Sequence, residues 1–250
     1  MSKIVNCQIN RVKLTSFLSW FKAGISVFRQ HFFKTALVTV ILLALFALFL
    51  GLGMVFGESY LVRVIVAVAM SAIFPLLIGA QSISYYSLTA TDFSWSLKNI
   101  FARLLRWNTV RLIVIYLLLA LLISLGGQYL SLKNEQLIPL ANLLVDVLLL
   151  GLQLVFFIAL PINILSNGQI PPFKSLLLGI KAILFNFIPT IAFMFIFLLL
   201  LLVAVFIALP LTKFIGLYAL IIYALEIALF LMFLGVCVAV MARDLVSLSD

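Results

Sequence analysis

The sequence predicts an all-α, polytopic membrane protein of six transmembrane helices and three amphipathic interfacial helices in a threefold internal repeat. Composition is the first ground. Of the 250 residues, 66% are hydrophobic and 9% charged, and the mean hydropathy is +1.37, too apolar for a soluble chain of this size. The second is the length of the apolar runs, several of which exceed the roughly 18 residues needed to cross a hydrocarbon core of about 30 Å. These runs are continuous rather than alternating, unlike the strands of a membrane β-barrel. The third is recurrence: a basic amphipathic segment, an apolar run, a turn and another apolar run follow one another three times. The chain therefore reads as one integral membrane domain, residues 1–250, with repeat units at 13–90, 91–165 and 166–250.

The first unit opens with Leu14, Phe17, Leu18, Phe21, Ile25, Phe28 and Phe32 at three- and four-residue steps, with Ser19, Lys22, Ser26 and Arg29 on the other face. Such a helix lies flat at a bilayer surface, rings among the acyl chains and cations among the phosphates. A span follows over about Thr35–Phe56, closed by Gly51, Gly53 and Gly57, and a turn holding Glu58 leads to a second span over about Leu61–Ala80. Pro75 is expected to kink that span, and Gln81, Ser82, Ser84, Tyr85 and Tyr86 read as an interfacial belt.

The second unit begins at Asp92, with Phe93, Leu97, Ile100, Phe101, Leu104 and Leu105 as its apolar face and Lys98, Arg103 and Arg106 as its charge. Spans follow over about Thr109–Leu125 and Ile138–Ile164, joined by the loop Gln128–Gln136. The third opens after Asn167-Gly168 and Pro171-Pro172, with Phe173, Leu176, Leu177, Ile180 and Leu184 beside Lys174 and Lys181. Its spans cover about Phe187–Leu209 and Phe214–Val240, with Pro210 and Lys213 at the turn and Met241–Asp250 as a tail.

Copies align at two offsets. Phe28–Leu45 matches Leu104–Leu121 in character, 76 residues on, while Gly24-Ile25 recurs as Gly179-Ile180 and Thr35 as Thr190, 155 residues on. Each unit crosses twice, so all three share one orientation, unlike the inverted repeats of many alternating-access transporters. Lys3, Arg11, Lys13, Lys22, Arg29, Lys34, Lys98, Arg103, Arg106, Arg111, Lys174, Lys181 and Arg243 fall on one side, against Arg63, Lys133 and Lys213 on the other. Both termini are therefore expected in the cytoplasm.

The formal charge of +9 would suggest nucleic acid in a soluble protein. Beside membrane spans it points to anionic phospholipid, with no nucleic-acid partner. Expected headgroup contacts are Lys22, Arg29, Lys98, Arg103 and Arg106, and expected interfacial anchors Trp20, Phe21, Phe28, Trp95, Phe101 and Trp107. Two acids sit inside spans: Asp146 and Glu226, roughly 12 and 18 Å from the outer helix ends at about 1.5 Å per residue. Asn142 and Gln153 share a face with Asp146, and Tyr223 precedes Glu226 by one turn. That polar stripe reads either as a cation, proton or headgroup site, or as protonated acids satisfied across helix contacts. The stripe could also satisfy itself between subunits of a small cyclic homo-oligomer.

No catalytic motif, cofactor signature or metal set is legible. His31, the one histidine, has no second ligand near it in sequence, no phosphate loop or nucleophile elbow occurs, and Cys7 and Cys237 read as reduced thiols of minor structural weight.

Trp20, Gly24, Phe28 and Arg29, then Leu184–Pro189 (Leu-Phe-Asn-Phe-Ile-Pro), and finally Arg243-Asp244-Leu245 form a pattern. It resembles a family of uncharacterised bacterial six-span inner-membrane proteins. It is also similar to the membrane domain attached to some glycerophosphodiester phosphodiesterases. The resemblance implies a bacterial inner membrane and a connection with lipids or the envelope. No catalytic domain accompanies it here, so phosphodiesterase activity is not implied. The expected function is non-enzymatic lipid binding, lipid trafficking or envelope homeostasis; the alternative is a small-solute or ion transporter using Asp146 and Glu226.

The topology has a direct test. A cysteine placed at Glu135, in a chain lacking its native thiols, should react with an impermeant maleimide in intact cells, whereas one at Ser247 should react only after lysis. Protection of the first position in intact cells would reverse the orientation.

Overall fold

A computed structural model describes residues 6–56, 60–89, 94–133, 138–215 and 218–249. Within them the chain forms strand β1 (Asn6–Ile9), helices α1 (Ser16–Phe56), α2 (Tyr60–Thr89), α3 (Leu97–Leu104), α4 (Trp107–Lys133), α5 (Ile138–Leu165), α6 (Pro172–Phe185), α7 (Phe187–Ile215) and α8 (Tyr218–Leu245), and strand β2 (Val246–Ser249). The turn at Gly57 and Glu58, the start of the second unit at Asp92 and Phe93, Glu135, and the Tyr223 side chain lie outside the described residues. The described residues are mainly helical and include one antiparallel ribbon, which pairs Asn6 with Ser249 and Ile9 with Val246. Among the described residues four helices are long and apolar enough to cross a membrane, or five if α6 and the start of α7, bent by 92°, count as one broken span.

Helix boundaries differ from the expected spans mainly at their ends. α2 continues through Pro75 to Thr89, and α7 runs past Pro210 and Lys213 to Ile215. The expected tail from Met241 is instead the last turns of α8 followed by β2. The expected belt at Gln81–Tyr86 is wholly buried. The reason is that α2, α5 and α8 touch one another, and their halves nearest the chain termini are covered on every side. Leu77, Ile78 and Ile83 of α2, Phe156–Ile164 of α5 and Val236–Ala242 of α8 make up that core.

Around these three helices the others pair in order: α1 lies against α2, α4 against α5 and α7 against α8. The short amphipathic elements pack one step back in the chain. α3 lies on α2, α6 lies on α5, and the first half of α1 lies on α8, where Gly24 meets Cys237 and Phe233.

Small residues set these contacts. A Cβ on Gly179 would stand 2.7 Å from the carbonyl oxygen of Val155 and 3.3 Å from the Cβ of Ala159. At the α2–α3 contact the glycine is on the span instead, and a Cβ on Gly79 would stand 2.7 Å from Leu104. Close backbone approach maximises van der Waals contact, the main attraction left between helices once lipid has replaced water around them.

The breaks that turn each amphipathic helix into its span also correspond. α1 leaves helical geometry at His31 (φ −128°, ψ 26°), and Asn186 (φ −126°, ψ 37°) ends α6. These two residues are 155 positions apart, the offset read from Gly24/Gly179 and Thr35/Thr190. A third break, at Leu105 and Arg106, separates α3 from α4, and Thr35, Thr109 and Thr190 follow the three breaks, each almost fully buried.

Gly179→Ala should lower the thermal midpoint in detergent, because overpacking costs about 1–3 kcal/mol and the obstructing atom is backbone. Gly151→Ala, where nothing lies within 4 Å of the added Cβ, should leave the midpoint unchanged or raise it. Equal midpoints for the two variants would show that the α5–α6 approach is not tight.

Candidate functional site

The chain termini and the three breaks lie at one end of the bundle, where most of the described polar side chains meet. Three clusters form there. In the first, the Asn10 backbone N–H donates to the Leu245 carbonyl at 2.9 Å, the Asn10 amide donates to the Asp244 carbonyl at 3.0 Å, and Trp20 Nε1 donates to Asp244 Oδ2 at 2.8 Å. Asn186 receives the Val12 N–H on its Oδ1 at 2.9 Å and donates its Nδ2 to the Asn10 carbonyl at 2.9 Å. In the second, Gln81 Nε2 donates to the Thr35 carbonyl at 3.0 Å and to Thr39 Oγ1 at 2.6 Å.

The third cluster is built on Asn163 of α5, which is fully buried. Its Oδ1 accepts from Thr109 Oγ1 at 3.0 Å, its Nδ2 donates to the Ile170 carbonyl at 2.9 Å, and its carbonyl receives the Gly168 N–H at 2.8 Å. Asn108 Nδ2 donates to the Gly168 carbonyl at 2.6 Å. Asn167 and Gly168, at φ 57° and 71°, supply the left-handed backbone that this tight loop needs. The loop is thereby held against the start of α4.

Against this loop stand two of the expected headgroup contacts. Arg103 Nη1 donates to Asn167 Oδ1 at 3.0 Å, and Arg106 Nη1 donates to the Asn167 carbonyl. With Ser94, Asn99 and Ala102 they line an open cleft of about 220 Å³. Ser96 caps α3, its hydroxyl receiving the Asn99 N–H at 3.2 Å, while Asn99 Nδ2 donates to Ser94 Oγ at 2.8 Å. Partial burial and the neighbouring Arg106 both hold the Arg103 guanidinium below its usual range, as expected of two cations sharing one concavity.

The remaining expected contacts do not line this cleft. Lys22 and Arg29 are exposed on α1, and Lys98 is exposed on α3. The expected anchors differ in burial. Trp20 is fully buried against Phe193, and Phe21 packs on Phe193 at 4.9 Å between ring centroids. Both are buried within the protein, because the face of α1 bearing Trp20, Gly24 and Val27 packs on the bundle. Phe28, Trp95 and Phe101 are half-buried; Trp95 Nε1 donates to Ser84 Oγ at 3.0 Å, and Lys34 lies over its ring. Trp107, 67% exposed, carries the Arg111 guanidinium 4.5 Å from its ring centre.

Asn142 and Asp146 are exposed on α5 and Gln153 is half-buried, so the stripe faces out of the single chain. Glu226 is half-buried on α8. Asp146 lies within α5 and Glu226 within α8. Among the described residues no group of three His, Cys, Asp or Glu side chains could hold a metal ion. Cys7 is half-buried, and burial raises its thiol pKa against the opposing charge of Lys174.

Sequence reasoning passed over Asn163, Asn186, Gln81 and Asp244 as organisers. One signal was available: a buried threonine starts the apolar run of each unit, and an amide or hydroxyl in the adjoining helix answers it in two of the three. Asn163→Ala should orphan several buried partners at about 1–3 kcal/mol each, lower the thermal midpoint and speed amide exchange over Asn167–Ile170. Unchanged exchange there would mean the loop is held by other contacts.

No protein-family model matches the chain, no curated protein matches it, and no solved structure matches it.

Proposed function

We propose that this is a non-enzymatic, six-span protein of a bacterial inner membrane, built as a threefold repeat with both termini cytoplasmic, that binds anionic phospholipid in lipid trafficking or envelope homeostasis. The observation that carries the reading is the outer face of the amphipathic helices. On α1, Leu18, Lys22, Ile25 and Arg29 form one exposed stripe. On α6, Phe173, Leu177, Ile180 and Leu184 are exposed beside Lys174 and Lys181. Apolar and cationic side chains alternating on an exposed bundle margin suit the boundary between acyl chains and anionic headgroups, where each cation contributes about 1 kcal/mol. The repeat is supported by the shared backbone break at His31 and Asn186 and by the stepwise packing of α3, α6 and the start of α1. The short motifs shared with six-span inner-membrane proteins agree with the location.

A transporter is the second reading, favoured by two acids, Asp146 and Glu226, within the long apolar helices α5 and α8. An exposed carboxyl among Leu143, Leu144 and Val147 also favours a small cyclic homo-oligomer, which would remove Asn142 and Asp146 from lipid.

Native mass spectrometry from mild detergent tests these readings together. Replacing Lys22, Arg29, Lys98, Arg103 and Arg106 with Gln should deplete co-purified anionic lipid while the protein stays folded, and Asp146→Asn should retain it. Unchanged lipid in the five-Gln variant, with loss of an ion flux in Asp146→Asn, would replace the lipid role by transport. A strictly monomeric species at all concentrations would remove the oligomer.

A further inference from the structure

Resting on the lipid reading, the geometry points to one specific ligand group: a phosphate seated in the cleft between Arg103 and Arg106, its bearer's hydrocarbon running over Leu105 and Trp107 onto α4. At about 220 Å³ the cleft is smaller than the roughly 300 Å³ where pockets for drug-sized ligands begin. It suits a phosphate with a short polar substituent rather than a nucleotide. Its cations are guanidinium forks, whose planar donors match phosphate oxygens in pairs. Arg106 is exposed and directs one nitrogen to Asn167, which leaves donors of its fork uncommitted. Ser94 Oγ accepts from Asn99, so its own proton remains to donate.

Two further features distinguish this cleft from scattered surface lysines. The first is rigidity. The loop that Arg103 and Arg106 grip is fixed from beneath by Asn163, itself held by Thr109, and from α4 by Asn108, so both cations are positioned before an anion arrives. Their mutual repulsion is the cost of that arrangement, and an anion between them relieves it. The second is the apolar rim. Leu105 and Trp107, each 67% exposed, flank Arg106 in the chain, and exposed Val114, Leu118, Leu121 and Leu122 continue along α4. A phospholipid has both parts in that order.

The test uses the full chain in nanodiscs of phosphatidylcholine with a minority of phosphatidylglycerol, read by native mass spectrometry. Wild-type protein should keep phosphatidylglycerol at collision energies that strip the surrounding lipid. Arg106→Gln should lower that retained occupancy roughly tenfold or more, as for loss of a charge-assisted hydrogen bond. Ala102→Leu should lower it too, by filling the cleft while both arginines remain, which guards against a merely misfolded Arg106→Gln. Lys13→Gln, an exposed cation outside both the cleft and the five headgroup contacts, should leave it unchanged. A second arm adds glycerol phosphate or inorganic phosphate to delipidated protein in detergent. A rise in thermal midpoint in the wild type but not in Arg106→Gln, without retained lipid, would assign the phosphate to a soluble bearer. Wild-type retention and wild-type phosphate response in both Arg106→Gln and Ala102→Leu would overturn the cleft. If the five-Gln variant still loses anionic lipid in that case, the general lipid role survives; if it does not, both fall.

Discussion

The fold depends on Asn186 holding the N-terminal segment. Its backbone leaves helical geometry and ends α6, while its side chain receives the Val12 N–H and donates to the Asn10 carbonyl. Asn10 in turn bonds to Asp244 and Leu245 at the end of α8. One amide therefore joins the start of the chain, the bend between α6 and α7, and the end of α8. Every neighbouring feature follows: β1 meets β2 because Asn10 is already fixed, and Trp20 reaches Asp244 because the first turns of α1 are laid along α8. Groups of this kind are worth more as specifiers than as sources of stability, since an unmet partner costs more than the met bond returns.

This closure explains why the first amphipathic helix is buried on an unexpected face. A helix lying free on a bilayer would present Trp20 and Phe21 to lipid. Once the chain ends are tied, α1 packs on α8 through Trp20, Gly24 and Val27, and Leu18 and Ile25 turn outward. α6 behaves alike: Ser175, Gly179 and Ala182 face α5, and Phe173, Leu177 and Leu184 face away. In both helices a glycine permits the close approach, Gly24 to Cys237 and Gly179 to the Val155 backbone, while Trp20, Phe21 and Val27 on α1 and Leu176 and Leu178 on α6 are buried beside it. α3 differs because its partner α2 supplies the glycine, so Ile100 and Leu104 point inward.

How much of this was legible follows from the range of each signal. The helices were legible because an apolar run of membrane length has few alternatives once backbone groups must be satisfied internally. The amphipathic helices were legible from periodicity, though not which side packs, because periodicity ranks residues by hydrophobicity and does not register the close approach that Gly24 and Gly179 permit. The Asp244–Trp20 pair was present in the sequence only as two fragments of a weak motif, 224 positions apart. The ribbon and the true end of α8 escaped because four-residue strands carry no periodic signal. Arg103 and Arg106 were legible as cations, and their convergence was not, since Asn167 approaches them from another helix hairpin.

The placement of polar groups divides the molecule. Near the chain termini, amides and hydroxyls are buried and mostly satisfied; Gln81 Oε1 and Thr190 Oγ1 are the exceptions among the described residues. Farther along α5, Asn142 and Asp146 face outward among leucines and make no such network. A charged side chain at that depth costs about 3 kcal/mol on insertion scales, so a position like Asp146 is tolerated only when neutral, hydrated or covered. The satisfied end needs none of these. The end with satisfied buried polar groups is therefore the one that carries the arginine cleft, and Asp146 lies on an exposed face away from them.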